Sequence, residues 1–191
     1  MSIYRRFRLR GATYFFTVAL ADRRATLLTE HIGLLRRAYA LTTADMPLRC
    51  DAMVVLPGHL HAVWTLPEGD CAYSRRWGSI KARFVMSLRR AGFSPPFELP
   101  VVGSGRYAGL KPGLRMSKRE SAVWQRRFWE HTIRDEADYQ THVAYCLSDP
   151  VRHGLVERAA DWTFSSIHRD IRLGRVGADW AGSAPDGNFG E

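Results

Sequence analysis

The stretch VVLPGHLHAVW, residues 54–64, decides the fold because it reads as two strands joined by a tight turn. Its Pro57-Gly58 dipeptide is a turn signal, and the flanking residues are largely apolar, as a strand of a buried sheet requires. We therefore predict strands at residues 48–56 and 59–66, paired as a β-hairpin.

The second strand of this hairpin carries His59 and His61, two positions apart. Side chains alternate in direction along a strand, so both imidazoles share one face, and the opposite face turns to the core. Two imidazoles on one face can bind one divalent cation, which an oxygen ligand or a substrate phosphate would have to complete. Alternatively, the pair is partly exposed and hydrogen-bonded to backbone. Strand geometry leaves both interpretations open.

Outward from the hairpin, the sequence alternates between strand-like and helix-like segments. Aromatic and β-branched residues favour strands at 14–20 and 124–133, whereas apolar residues at helical spacing favour helices at 29–45, 74–92 and 135–150. We expect the last of these helices to end before Pro150. This order predicts an α+β fold, a ferredoxin-like antiparallel sheet of four to five strands with helices packed mainly on one face.

The chain length of 191 residues suits one domain. We assign residues 1–173 to it, with a long Gly-, Pro- and Ser-rich loop at about 93–120, and expect residues 174–191 to be a mobile tail. No segment has the 18 or so uninterrupted apolar residues of a membrane span. Three cysteines without metal-type spacing predict reduced thiols and a cytoplasmic protein.

Charge indicates the class of partner. Lysine and arginine number 28 against 19 acidic residues, for a formal net charge of +9. Arginine's planar fork suits phosphate, so a polyanion such as nucleic acid is favoured over a small neutral substrate. A high-GC genome would explain the excess of arginine over lysine, but not the surplus of positive charge.

A second candidate group lies far along the chain, in the helix predicted at 135–150. Tyr145 and Asp149 are four residues apart and therefore share one helical face. A phenol can act as a nucleophile when a metal or a base is nearby, since its ordinary pKa is about 10. The alternative is a core aromatic followed by an aspartate that ends the helix.

Six stretches taken together resemble the REP-associated tyrosine transposases, single-tyrosine members of the His-hydrophobic-His (HUH) nucleases. They cover most of residues 5–169, in the family's order and with similar gaps. These stretches are RRFRLRGATYFFTVAL, DAMVVLPGHLHAVWTLPEGD, SRRWGSIKARF, WQRRFWEHTIRDEADY, HVAYCLSDPVRHGLV and DWTFSSIHR.

The resemblance implies an HUH nuclease fold and a metal-dependent endonuclease and strand transferase that acts on single-stranded DNA. In this interpretation His59, His61 and Asp149 bind Mg²⁺ or Mn²⁺, and Tyr145 is the nucleophile that forms a covalent 5′-phosphotyrosine. The expected substrate is a REP-type DNA hairpin, bound by a monomer at the nucleoid in the cytoplasm.

Two positions depart from the family pattern. Around the tyrosine the family reads Tyr-Ile-x-x-Asn-Pro-Val, whereas residues 145–151 place Asp149 where asparagine is usual. An aspartate can still ligate a hard cation. Before the histidine pair the family has Pro-Asn, and this chain has Pro57-Gly58.

DNA binding should combine base stacking with phosphate contacts. Trp77 and Trp124 are the candidate stacking residues. The candidate phosphate contacts, each of which is otherwise a solvated surface charge, are Arg5, Arg6, Lys81, Arg126, Arg127 and Arg152. Two other functions stay open: a domesticated hairpin-binding protein that does not cleave, and a metal-dependent RNA nuclease in which Tyr145 is idle.

Overall fold

The computed structural model describes residues 9–93, 123–181 and 189–190. Arg5, Arg6 and nearly all of the predicted loop at 93–120 lie outside the described residues. The described chain forms one four-stranded antiparallel sheet, as the sequence predicts, and its strand order is β2-β3-β1-β4. Its strands are β1 (Thr13–Ala19), β2 (Arg49–Val55), β3 (His59–Thr65) and β4 (Trp129–Thr132).

In the ranges that the structure describes, five α-helices and one 3₁₀ helix accompany the sheet. They are α1 (Leu27–Glu30), α2 (Ile32–Asp45), α3 (Tyr73–Arg90), α4 (Glu136–Arg152), the 3₁₀ helix Ala159–Asp161, and α5 (Ile167–Arg172). No helix in the described part of the chain is both long and apolar enough to cross a membrane.

The two faces of the sheet have different helical covers. On β3, Leu60, Ala62 and Trp64 belong to the larger core, which α2 and α3 complete. Val63 faces the other way and packs in a second core with residues of α4. Two of the three long helices therefore share one face. The third, α4, covers the face that carries His61, as the period-two pattern of β3 requires.

The end of α4 differs from the sequence prediction. Pro150 lies inside the helix, which continues to Arg152. A proline removes one backbone donor but does not prevent a last turn, and Gly154 with φ of 64° supplies the actual stop. The N–H of Gly154 donates to Val151 O and that of Leu155 to Pro150 O, both at 2.9 Å, the pattern of a Schellman motif.

The β2–β3 turn explains why glycine occupies position 58. A Cβ atom there would lie 2.2 Å from the carbonyl oxygen of Arg23, closer than real contacts allow. Gly58 O also accepts a 2.8 Å hydrogen bond from Leu20 N, which ties the turn to the end of β1. This close approach excludes asparagine unless the backbone of residue 23 moves, and it fixes where His59 leaves the turn.

Candidate metal and nucleophile site

The structure brings together the histidine pair of β3 and the carboxylate of α4. Asp149 Oδ2 lies 3.4 Å from His59 Nε2 and 3.2 Å from His61 Nε2. The side chains of His61 and Asp149 are fully buried, and that of His59 is 14% exposed. The interpretation of two partly exposed histidines bonded to backbone is therefore wrong for His61, which faces a buried carboxylate.

Thr17 on β1, the cross-strand partner of His61, determines which nitrogen of His61 carries a proton. Its hydroxyl donates to the carbonyl oxygen of Phe189 and lies 3.0 Å from His61 Nδ1. A hydroxyl has one proton to donate, so toward the imidazole it can only accept. His61 Nδ1 is thus the donor, and in the neutral ring Nε2 presents its lone pair toward Asp149, as a metal ligand must.

The donor set fits a divalent cation. Two imidazole nitrogens and a carboxylate oxygen converge, and the rings of His59 and His61 are inclined at 76°, so their lone pairs can meet at one point. Imidazole and carboxylate donors together suit divalent ions of the Mn²⁺ type, and the carboxylate also suits Mg²⁺. The Asp149 side chain is fully buried in α4, so packing places its carboxylate beside the two imidazoles.

Tyr145 lies one turn before Asp149 on α4, and its ring is edge-on to His61 with centroids 5.2 Å apart. The guanidinium of Arg152 lies 4.4 Å from the centre of the phenol ring. On its other side the ring stacks face to face on Phe189, at 3.7 Å and 19°. Tyr145 is only 1% exposed, so it is both a core aromatic and a neighbour of the candidate metal ligands.

His153 is a member of the site that the sequence interpretation missed. Its Nε2 lies 3.6 Å from Asp149 Oδ1, and its ring is 5.0 Å from that of His59. The donor atoms of His59, Asp149 and His153 all lie within 4.8 Å of one another. The available signal was spacing, because His153 follows Asp149 by four residues and therefore shares its helical face.

A second His-Asp-His cluster, also missed, links β4 to the start of α4. His131 Nε2 lies 2.8 Å from Asp138 Oδ2, and His142 Nδ1 lies 2.8 Å from the backbone oxygen of Asp138. The two imidazoles stack in parallel, 4.4 Å apart at 12°. Parallel stacked rings cannot both aim an in-plane lone pair at one ion, so this cluster is a hydrogen-bonded brace between strand and helix.

Protonation within this brace follows from its contacts. Burial raises the pKa of the Asp138 carboxyl, but hydrogen bonds from His131 and Arg134 outweigh burial and hold that pKa at about 2. Burial lowers the pKa of the His142 imidazole, against the smaller raising effect of Asp138. Near neutral pH the brace therefore pairs a charged carboxylate with a neutral His142.

The candidate DNA-contacting residues have different positions. Arg126 and Arg127 are exposed between Trp124 and β4, and Arg152 lies beside Tyr145. Lys81 instead donates to Gln125 O at 3.0 Å and its ammonium lies over the ring of Trp124. The assignment of these residues to DNA contacts stays a prediction.

The two tryptophans cannot stack on DNA bases in this structure, so that prediction is wrong. Trp77 is 1% exposed and Trp124 is 4% exposed. The reason is packing: the indole of Trp77 stacks on Trp64 of β3 at 4.0 Å and 13°, in the centre of the larger core. The apolar stripe of α3, which includes Trp77, faces the sheet, and Trp124 packs edge-on against Phe84 of the same helix.

Two relatives with similar descriptions match nearly the whole chain. No protein-family model matches the sequence. A REP-associated tyrosine transposase of Escherichia coli strain K12 is 41% identical over all 191 residues, covering 98% of the relative. A candidate REP-associated tyrosine transposase of Haemophilus influenzae is 39% identical over 186 residues, 97% of this chain and 96% of that one.

A solved structure agrees with these relatives in fold. It is a REP-associated tyrosine transposase bound to a REP hairpin, with a TM-score of 0.81 and 40% identity, and the match covers all of this chain and 98% of that one. Identity of this order over the full length, together with the juxtaposed histidine pair and tyrosine helix, confirms the resemblance noted in the sequence. The chain belongs to the family of REP-associated tyrosine transposases.

Proposed function

We propose that this chain is a metal-dependent single-stranded DNA endonuclease and strand transferase that cleaves through a covalent 5′-phosphotyrosine at Tyr145. One observation carries the proposal: the buried Asp149 carboxylate lies within 3.4 Å of His59 Nε2 and 3.2 Å of His61 Nε2, one helical turn from a tyrosine.

His59, His61 and Asp149 would hold Mg²⁺ or Mn²⁺, with His61 oriented by Thr17. When bound, such an ion acts as a Lewis acid on the scissile phosphate and orients it. Arg152 supplies a further positive charge 4.4 Å from the ring of Tyr145, where it can contact the phosphate and stabilise negative charge developing on the phenol oxygen.

In the cleavage step the phenol oxygen of Tyr145 forms a bond to phosphorus, and the bond from phosphorus to the 3′ oxygen breaks. The phenol loses its proton, and the departing 3′ oxygen gains one to become a hydroxyl. Strand transfer is the reverse: a 3′-hydroxyl attacks the phosphotyrosine, the new phosphodiester forms, and the phenol is regenerated.

A REP-type hairpin is the proposed substrate, because the structural relative that matches this chain end to end is bound to a REP hairpin. The net charge of +9 supports a polyanionic partner. Exposed Arg126 and Arg127 are candidates for phosphate contacts outside the site, together with Arg152 within it.

Formation of a covalent adduct tests the proposal. A hairpin oligonucleotide with single-stranded flanks is incubated with the protein and Mn²⁺ or Mg²⁺, and a protein-DNA adduct is sought on a denaturing gel. We expect an adduct with the natural chain, none with Tyr145→Phe, and an undiminished one with Tyr139→Phe, a matched change on the same helix. Cleavage that persists in Tyr145→Phe would exclude the tyrosine as nucleophile.

The same assay separates the non-catalytic alternative. The double variant His59→Ala/His61→Ala should lose cleavage while hairpin affinity, measured by gel shift, is largely retained. If the natural chain binds the hairpin but does not cleave it with either metal, the protein is a hairpin-binding protein without nuclease activity.

A further inference from the structure

The geometry around Asp149 leads to an inference about His153 that rests on the proposed function. We infer that His153 is a fourth protein ligand of the cation held by His59, His61 and Asp149. Its Nε2 lies 3.6 Å from Asp149 Oδ1, and the donor atoms of His59, Asp149 and His153 lie within 4.8 Å of one another. An ion with bonds of about 2.1 Å to nitrogen joins donors up to about 4.2 Å apart, so a small rotation of the exposed His153 side chain would bring the group onto one ion.

Ring orientation separates this group from the histidine cluster elsewhere in the fold. The planes of His59 and His153 are inclined at 61°, and those of His59 and His61 at 76°. Inclined rings can direct their in-plane lone pairs at one point, so His59 can share an ion with either of the other two histidines. The rings of His131 and His142 are parallel, at 12°, and cannot direct their lone pairs at one point. The angle between the ring planes therefore favours His153 as a ligand and excludes the other cluster.

The backbone holds His153 in position. It is the C-cap residue of α4, and its N–H donates to Asp149 O at 3.0 Å, which keeps both side chains on one face. The Schellman motif at Gly154 stops the helix directly afterwards. Because this arrangement needs the helix to pass through Pro150, a helix ending before that proline would have removed His153 from the site.

Asp149 is then shared between two sides of the site. Its Oδ2 faces His59 and His61, and its Oδ1 faces His153 and Arg152. Since the side chain of His153 is 39% exposed and that of His59 is 14% exposed, His153 would be the ligand nearest the surface. With His153 among its ligands, such an ion would still accept an oxygen of a substrate phosphate.

Mn²⁺ binding without DNA tests the inference. Isothermal titration measures the Mn²⁺ affinity of the natural chain and of His59→Ala, His153→Ala and the matched control His31→Ala, whose side chain is remote from Asp149. Loss of a ligand should weaken Mn²⁺ binding at least about tenfold, the lower limit seen when metal-site partners are removed. In parallel, pulsed EPR of bound Mn²⁺ should report one imidazole nitrogen fewer in His153→Ala. If His153→Ala does not fold, His153→Asn is measured in its place, because asparagine is accepted at helix ends.

Each outcome has a distinct meaning. The inference is supported if His153→Ala binds Mn²⁺ more weakly and lacks one imidazole nitrogen signal, while His31→Ala binds Mn²⁺ as the natural chain does. If His59→Ala loses affinity but His153→Ala does not, His153 is not a ligand and the proposed function stands. If the natural chain does not bind Mn²⁺ at all, the metal dependence of the proposed function fails as well.

Discussion

Phe189 lies face to face with Tyr145, with ring centroids 3.7 Å apart and planes 19° apart. The contact comes from the far end of the chain, and the carbonyl of Phe189 is also the acceptor for the hydroxyl of Thr17. A segment that was expected from its composition to be a mobile tail therefore supplies one packed residue to the site. Mobility of the rest of residues 174–191 stays a prediction.

Removal of the Phe189 ring should accelerate adduct formation. Aromatic stacking contributes about 0.5 to 1.5 kcal/mol beyond area burial, so exposing Tyr145 by Phe189→Ala should raise the single-turnover rate about two- to tenfold. The rate is measured with a hairpin oligonucleotide and Mn²⁺ under enzyme excess. Trp180→Ala, which removes an aromatic from the same terminal region without touching Tyr145, is the control. An unchanged or slower rate for Phe189→Ala would mean that Phe189 positions Tyr145 rather than covering it.

Replacement of the Thr17 hydroxyl should weaken metal binding without changing a ligand. Thr17→Val keeps the shape of the side chain but removes the acceptor that holds His61 Nδ1–H, so the proton is no longer confined to that nitrogen. We expect Mn²⁺ affinity to fall about 10- to 100-fold by titration calorimetry, the usual effect of removing a partner of a metal-bound histidine. Thr17→Ser keeps the hydroxyl and should bind Mn²⁺ as the natural chain does. Equal affinities for Thr17→Val and Thr17→Ser would contradict the assigned tautomer.

The local parts of the fold could be predicted from sequence because they depend on short-range periodicity. Alternation along residues 59–64 placed Leu60 in the core and His61 on the opposite face, and four-residue spacing placed Tyr145 beside Asp149. The predicted sheet was confirmed for the same reason. The resemblance to a family then joined the two halves of the site, which are more than 80 residues apart in sequence.

The parts that could not be predicted depend on long-range packing. Helical spacing places Trp77 on the apolar stripe of α3 with Ile80, but only the fold shows that its indole stacks on Trp64 in the core and is closed to a base. Phe189 contacts Tyr145 from a stretch of sequence that has neither helix nor strand periodicity, so no pattern predicted this contact. The end of α4 was misjudged because Pro150 removes only one backbone donor, and the last turn of the helix forms despite that loss.

Asparagine at position 149 should give a metal site with lower affinity for Mn²⁺. Asp149→Asn keeps an oxygen ligand at the same place but removes its negative charge, and ligand charge is one of the factors that set cation affinity. We expect Mn²⁺ affinity to fall about tenfold, with cleavage recovered at higher Mn²⁺, whereas Asp149→Ala should lose cleavage at all concentrations. The comparison is made by adduct assays across a Mn²⁺ series. If Asp149→Ala cleaves as well as Asp149→Asn, the side chain is not a ligand.

Acid pH should destabilise the packing of α4 against β4, because it protonates the His142 imidazole. Burial lowers the pKa of this imidazole, with the charges of His131 and Arg134 acting in the same direction and Asp138 opposing them. Between the lowered folded value and the unfolded value of about 6.5, the unfolded chain binds more protons, so stability is fully present above about pH 6.5 and is lost as the pH falls through that window. Asp138, with its pKa of about 2, loses its own contribution only below about pH 4.

The measurement is the Tm at pH 7.5 and at pH 5.5, by circular dichroism. The natural chain should lose more thermal stability over this interval than His142→Gln, whose amide can still donate to the backbone oxygen of Asp138 but does not titrate. His31→Gln, a matched change outside the brace, should keep the pH dependence of the natural chain. If His142→Gln and the natural chain lose the same amount, protonation of His142 does not control this junction, and the acid sensitivity lies in another group.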